Sequence, residues 1–133
     1  MTLVDLISRA WGWTGLQPVK VVAENDFGNL MVRDPSGQYW RICPEDLYCK
    51  IIAEDRSALD TLIDDEEFQQ DWNMPALVKE AQAKVGPLED GRKYCLKIPG
   101  SLGGEYGGAN LASISLFELI EASGDIAFQI KNL

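Results

Sequence analysis

Between Pro18 and Ala53, short apolar runs alternate with turn-forming words, and this punctuation constrains the fold more than anything else in the chain. Val19–Glu24 is β-branched and apolar, Asn25-Asp26-Phe27-Gly28 is turn chemistry, and Asn29–Arg33 is a second run. Asp34-Pro35-Ser36-Gly37 has proline and glycine where a tight turn wants them, and Gln38–Ile42 follows. After the Cys43-Pro44-Glu45-Asp46 corner comes Leu47–Ala53. Runs this short and this closely joined leave no room for crossover connections, so the segment reads as a meander of antiparallel strands.

The flanks read as helices. Leu3, Leu6, Ile7, Ala10 and Trp11 recur at spacings of three and four, with Thr2 as N-cap and Gly12 at the exit. Ser57 and Asp60 form a capping-box-like start to a helical stretch that runs through the acids to Phe68 and Trp72, and Pro75 opens a further helix to Val85. Lys93–Ile98 is a strand, the five-glycine stretch from Pro99 to Asn110 is a loop, and Leu111–Ile114 is a short strand. Ser115-x-x-Glu118 caps a last helix, with Gly124 as an expected interruption costing about 1 kcal/mol relative to Ala. Strands and helices segregate, so the fold class is α+β, an antiparallel sheet packed with helices in one compact domain spanning residues 1–133.

The chain carries 21 acidic residues against 12 basic ones, a formal net charge of -9. Such a surface repels phosphate backbones and anionic headgroups, which argues against nucleic-acid or membrane binding and favours basic protein partners. No apolar run approaches the ~18 residues of a membrane helix. No secretory leader is legible, and three cysteines, an odd number, suit free thiols in a reducing, cytoplasmic setting.

Groups for catalysis are scarce. Histidine is absent, which removes the usual general base and the commonest transition-metal ligand. Cys43, Cys49 and Cys95 sit in strand-like runs and read as small buried hydrophobes; without C-x-x-C spacing they make no zinc site, so no metal and no cofactor is expected. A catalytic carboxyl pair needs environments that push its two pKa values apart, whereas the densest group of acids here, eight of the 21, lies in a solvated run. The Gly100–Gly108 loop meets no phosphate-binding pattern, and its Glu105 would oppose a phosphate.

The charge is concentrated. Glu54, Asp55, Asp60, Asp64, Asp65, Glu66, Glu67 and Asp71 face a single base, Arg56, so a local net of -7 holds most of the chain's -9. These eight acids, with Glu105 and Tyr106 of the glycine loop, are the candidate partner-binding residues. Tyr39, Trp40 and Trp72 are further aromatic candidates, with core packing the favoured role for the two tryptophans.

From Phe68 onward the words come in a recognisable order: Phe68-x3-Trp72, Val85-Gly86-Pro87-Leu88, Gly91-x2-Tyr94, Ile98-Pro99, Leu102-Gly103-Gly104-Glu105-Tyr106 and Asn110-Leu111. This third of the chain resembles the C-terminal domain of type VI secretion immunity proteins that protect bacteria against DNase effectors, a domain often joined to a GAD-like segment. The chain leaves little room for a full GAD-like domain ahead of it. The resemblance implies a non-enzymatic immunity protein that binds and neutralises a cognate toxin with a basic surface. The alternative is a small-ligand or regulatory binding module using the Gly100–Gly108 loop.

Overall fold

The computed structural model describes the whole chain, Met1 to Leu133. Helix α1 (Leu3–Trp11) starts on a reciprocal cap: the Thr2 hydroxyl accepts from the Asp5 amide and the Asp5 carboxylate accepts from the Thr2 amide, each at 3.1 Å. The meander follows as β1 (Lys20–Glu24), β2 (Leu30–Arg33), β3 (Tyr39–Cys43) and β4 (Tyr48–Ala53), paired antiparallel in chain order. In the β2–β3 turn, Asp34 accepts from the Ser36 and Gln38 amides at 2.9 Å and from the Trp40 indole at 3.0 Å. These bonds hold its carboxyl below the ordinary range even though desolvation pushes it the other way.

The sheet is a middle layer. Leu30, Val32 and Ile42 point to one face, where they pack with Leu6, Ile7 and Trp11 of α1 and with Leu116, Ile120 and Ala127 of α5 (Leu116–Lys131). Met31 and Tyr39, out of phase with those residues, point to the other face and pack with Leu59 of α2 (Arg56–Ile63) and with Phe68 and Trp72 of α3 (Glu66–Asn73). A bulge between Val21 and Ala23 lets β1 serve both faces: Val21 joins the first cluster and Ala23 the second.

A second unit completes the fold. Helix α4 (Pro75–Val85) covers a two-stranded sheet of β5 (Arg92–Leu96) and β6 (Leu111–Ser115) around Ala81, Tyr94, Leu96 and Leu111. It is joined to the meander at the β1–β2 turn. Phe27 lies 5.8 Å from Tyr94, ring to ring, and the Tyr94 amide donates to the Asp26 carbonyl at 2.8 Å. The Lys93 ammonium meets Glu24 at 2.8 Å. No helix is long and apolar enough to cross a membrane.

The α+β expectation holds, with three local differences. Asp55, not Ser57, caps α2, its carboxylate accepting from Ala58 at 2.7 Å. The acidic stretch is two helices, because Asp65 caps α3 by accepting from Phe68 at 3.0 Å. Gly124 does not interrupt α5: a Cβ there would lie 2.5 Å from the Ala10 carbonyl oxygen, so glycine is what lets α1 and α5 approach.

Candidate functional site

A cleft of about 440 Å³ opens where the end of β3, the Pro44–Asp46 turn, the α3–α4 region and the glycine loop meet. Strand alternation sends Arg41 to the α3 side of the sheet, and its side chain is only 5% exposed. Its Nε donates to Asn29 Oδ1 at 2.9 Å, its Nη1 donates to Asp71 of α3, and its guanidinium lies 5.1 Å from the Trp72 ring centre. Asn29 in turn donates from Nδ2 to Glu45 Oε1 at 2.6 Å. Burial alone would lower the Arg41 pKa, but the bond to Asp71 and the neighbouring Tyr48, Cys43 and Asp71 groups together outweigh it, and the group is held more firmly protonated.

Across the cleft, the Tyr106 hydroxyl donates to Asp46. The glycine loop is shaped for this contact. A Cβ on Gly100 would collide with the Tyr106 phenol, and one on Gly104 would collide with the Ile98 carbonyl. Asn110 clasps the loop: its Oδ1 accepts from the Ile98 amide at 2.8 Å, and its Nδ2 donates to the Ile98 and Glu105 carbonyls at 2.9 and 2.7 Å. Glu80 of α4 accepts from the Gly108 amide at 2.5 Å.

Four carboxyl groups, Glu45, Asp46, Asp71 and Glu80, therefore line the cleft with one base, Arg41, and two phenols, Tyr48 and Tyr106. Burial pushes the Glu45 and Asp46 carboxyls up, and it pushes the Cys43 thiol and Tyr48 phenol up as well. The Cys43 sulfur and the Glu45 and Asp46 carboxyls offer ligand atoms within 4.8 Å of one another. Burial nevertheless favours the protonated form of all three, and Asn29 already occupies one Glu45 oxygen. What the cleft offers is hydrogen-bond acceptors and aromatic edges to an incoming donor.

The residues singled out in the sequence divide. Asp71 and Tyr106 reach the cleft; the other acids lie exposed along α2, α3 and the strand end before them. Asp55 and Asp65 are spent as helix caps, Asp60 pairs with Arg56 at 2.9 Å, and Asp71 holds Arg41. Glu54, Asp64, Glu66 and Glu67 remain on the surface with no ion pair. Glu105 is exposed. Of the aromatic candidates, Tyr39, Trp40 and Trp72 pack into the core clusters, while Tyr106 is 50% exposed. Sequence reasoning did not single out Arg41, Asn29 or Glu45. The available signal was an arginine in an otherwise apolar strand, which demands a buried partner.

A family model described as "T6SS immunity protein Tdi1, C-terminal" matches residues 53–127. That span runs from the end of β4 through α2, α3, α4 and the glycine loop into α5. No curated protein matches the chain. Among solved structures, "Crystal structure of Atu4351 from Agrobacterium tumefaciens" is similar in fold, with a TM-score of 0.58 and 17% identity, over 90% of this chain. The chain spans 61% of the length of that protein.

Proposed function

Because this chain belongs to the family of type VI secretion immunity proteins defined by the Tdi1 C-terminal domain, we propose that it binds and neutralises a cognate bacterial toxin without catalysing a reaction itself. The observation that carries the reading is the family match over residues 53–127, which includes the acidic helices and the loop bearing Tyr106. We place the toxin on this side, with Glu54, Asp64, Glu66 and Glu67 drawing in a basic surface and the cleft accepting one of its basic side chains. A nuclease has such a surface because it must hold phosphates, and an acidic protein competes for the same positive field. DNase neutralisation in the cytoplasm is the specific form of this proposal.

The small-ligand reading draws on the same cleft. Its carboxyl- and phenol-rich lining suits a basic side chain better than an apolar ligand. The test is co-expression with the toxin encoded beside this chain, followed by binding kinetics with the purified pair. The wild-type chain should restore growth and bind. Glu66→Lys with Glu67→Lys should slow association at least tenfold at low salt, the effect shrinking as salt is raised. Failure of the wild-type chain both to restore growth and to bind would refute the toxin reading; unchanged association of the charge-reversed chain would refute the placement on α2–α3.

A further inference from the structure

The face of the sheet opposite the cleft carries a larger groove, about 660 Å³, between α1 and α5. Its floor is apolar: Ala10, Trp13, Ile114, Ala122 and Phe128 line it. Trp13 and Phe128 meet edge to face at 5.7 Å, yet Phe128 stays 46% exposed. Exposing an aromatic ring beside an apolar floor costs hydrophobic free energy that core packing could have recovered.

The rim has a definite sign. Glu118, Glu121 and Asp125 recur at spacings of three and four, which sets them in one line along α5, and all three are exposed. Two bases reach the groove: the Lys131 ammonium lies over the Trp13 ring, 5.2 Å from its centre, and Arg9 meets Glu121 at 3.4 Å with both side chains more than half exposed (59% and 61%). A pair of that kind contributes little and yields readily to a competing cation.

An apolar floor under an acidic rim complements a segment with apolar side chains on one face and Lys or Arg on the other. We propose that the α1–α5 groove is a docking site for a basic amphipathic segment of a protein partner, seated with its apolar face on Trp13, Ala122 and Phe128 and its cations over Glu118, Glu121 and Asp125. Charge complementarity decides the occupant. A second copy of the chain would oppose acidic rim to acidic rim across a twofold axis, which repels. Nucleic acid is repelled by the same carboxylates. The groove lies on the α1–α5 side of the sheet and the toxin-facing cleft on the α3 side, so this inference stands apart from the toxin reading.

The test is an NMR titration of the full chain with a 14-residue helical peptide carrying leucine on one face and lysine on the other. The same composition in scrambled order is the control. We expect amide shifts confined to α1, Trp13 and α5, binding at least tenfold tighter than the scrambled peptide, and a tenfold or greater loss with Ala122→Arg. Because Ala122 is exposed, the arginine can be accommodated without refolding; Glu118→Lys with Asp125→Lys is the second variant and should lose as much. Glu66→Lys with Glu67→Lys should bind as the wild type does. Shifts centred on α2 and α3, equal binding of the scrambled peptide, or no binding would overturn the proposal. So would sedimentation showing a dimer that Ala122→Arg dissolves, since the occupant would then be a second copy.

Discussion

Replacing Gly124 with alanine tests whether the α1–α5 approach, and not helix breaking, explains a glycine inside the last helix. In an isolated helix the change would stabilise by about 1 kcal/mol. Here the new Cβ would lie 2.5 Å from the Ala10 carbonyl oxygen and 2.9 Å from both its carbonyl carbon and its Cβ. Two of these neighbours are backbone atoms, so no rotamer change relieves the contact; α1 must move away by roughly 0.9 Å to reach 3.4 Å. That shift opens gaps around Leu6, Ile7 and Trp11, which are at most 1% exposed. A radial gap of about 0.5–1 Å forfeits a quarter to a half of each dispersion contact. Overpacking and lost contacts together cost about 3–4 kcal/mol, leaving a net destabilisation of about 2–3 kcal/mol after the propensity gain. At this chain length the fall in Tm should be roughly 6–12 °C. Urea unfolding followed by tryptophan fluorescence and by far-UV circular dichroism measures it. Gly12→Ala is the internal control: Gly12 has φ -62° and an added methyl group would meet nothing within 4 Å, so that variant should be neutral or gain up to about 1 kcal/mol. A Gly124→Ala chain as stable as the wild type, or shifted in parallel with Gly12→Ala, would refute the close-approach argument.

Two further predictions concern the buried polar chain under the cleft. Burial raises the Glu45 pKa, so this carboxyl contributes most below its unfolded value, about 4.3, and its contribution is lost as pH rises through the folded value. Glu45→Gln keeps an acceptor for Asn29 and cannot ionise. It should therefore be more stable than the wild type at pH 7, with the gap closing as pH falls toward about 4; urea midpoints at several pH values measure this, and a gap independent of pH would contradict it. Arg41→Lys should cost about 2–3 kcal/mol, because one ammonium cannot reproduce the fork that reaches Asn29 and Asp71 together while lying on Trp72. Asp71→Asn keeps an acceptor at an exposed position and should cost only about 1 kcal/mol; equal losses for the two variants would show that the fork geometry is unimportant.

Most of the meander is legible in the sequence because its turns use residues whose backbone preferences are strong, as at Asp34-Pro35-Ser36-Gly37. Helix α4 is legible with its observed bounds for the same kind of reason, Pro75 at its first position and Gly86 at its exit. The start of α2 is ambiguous because Ser57 and Asp55 are both good caps, and only the backbone path decides between them. Gly124 misleads because its cause is Ala10, more than a hundred residues away. The cleft is largely invisible for that reason too. Arg41, Asn29, Glu45 and Asp71 come from four separate elements, and nothing local announces their meeting. The acidic run is visible as charge, but not as a division between caps, internal ion pairs and free carboxylates.

That division bears on how many partners the chain can hold at once. Its accessible surface is 7356 Å², and a standard protein interface covers about 800 Å² on each partner, about a ninth of it. The unpaired acids of α2–α3 and the rim acids of α5 lie on opposite sides of a layer that is itself one sheet thick, with helices about 10 Å across on either side. One interface of standard size cannot reach both. If a single toxin wraps the chain and uses both faces, reversal at Glu66 and Glu67 and reversal at Glu118 and Asp125 should each weaken toxin binding. Their effects should then add within about 0.5 kcal/mol, since the sites share no contacts. If the faces serve different partners, the α5 reversal should leave toxin binding unchanged while abolishing capture of the basic peptide, and a ternary complex of chain, toxin and peptide should form. Binding measured across the four combinations of the two reversals separates these cases. Strong non-additivity would contradict the separation of the two faces by the sheet.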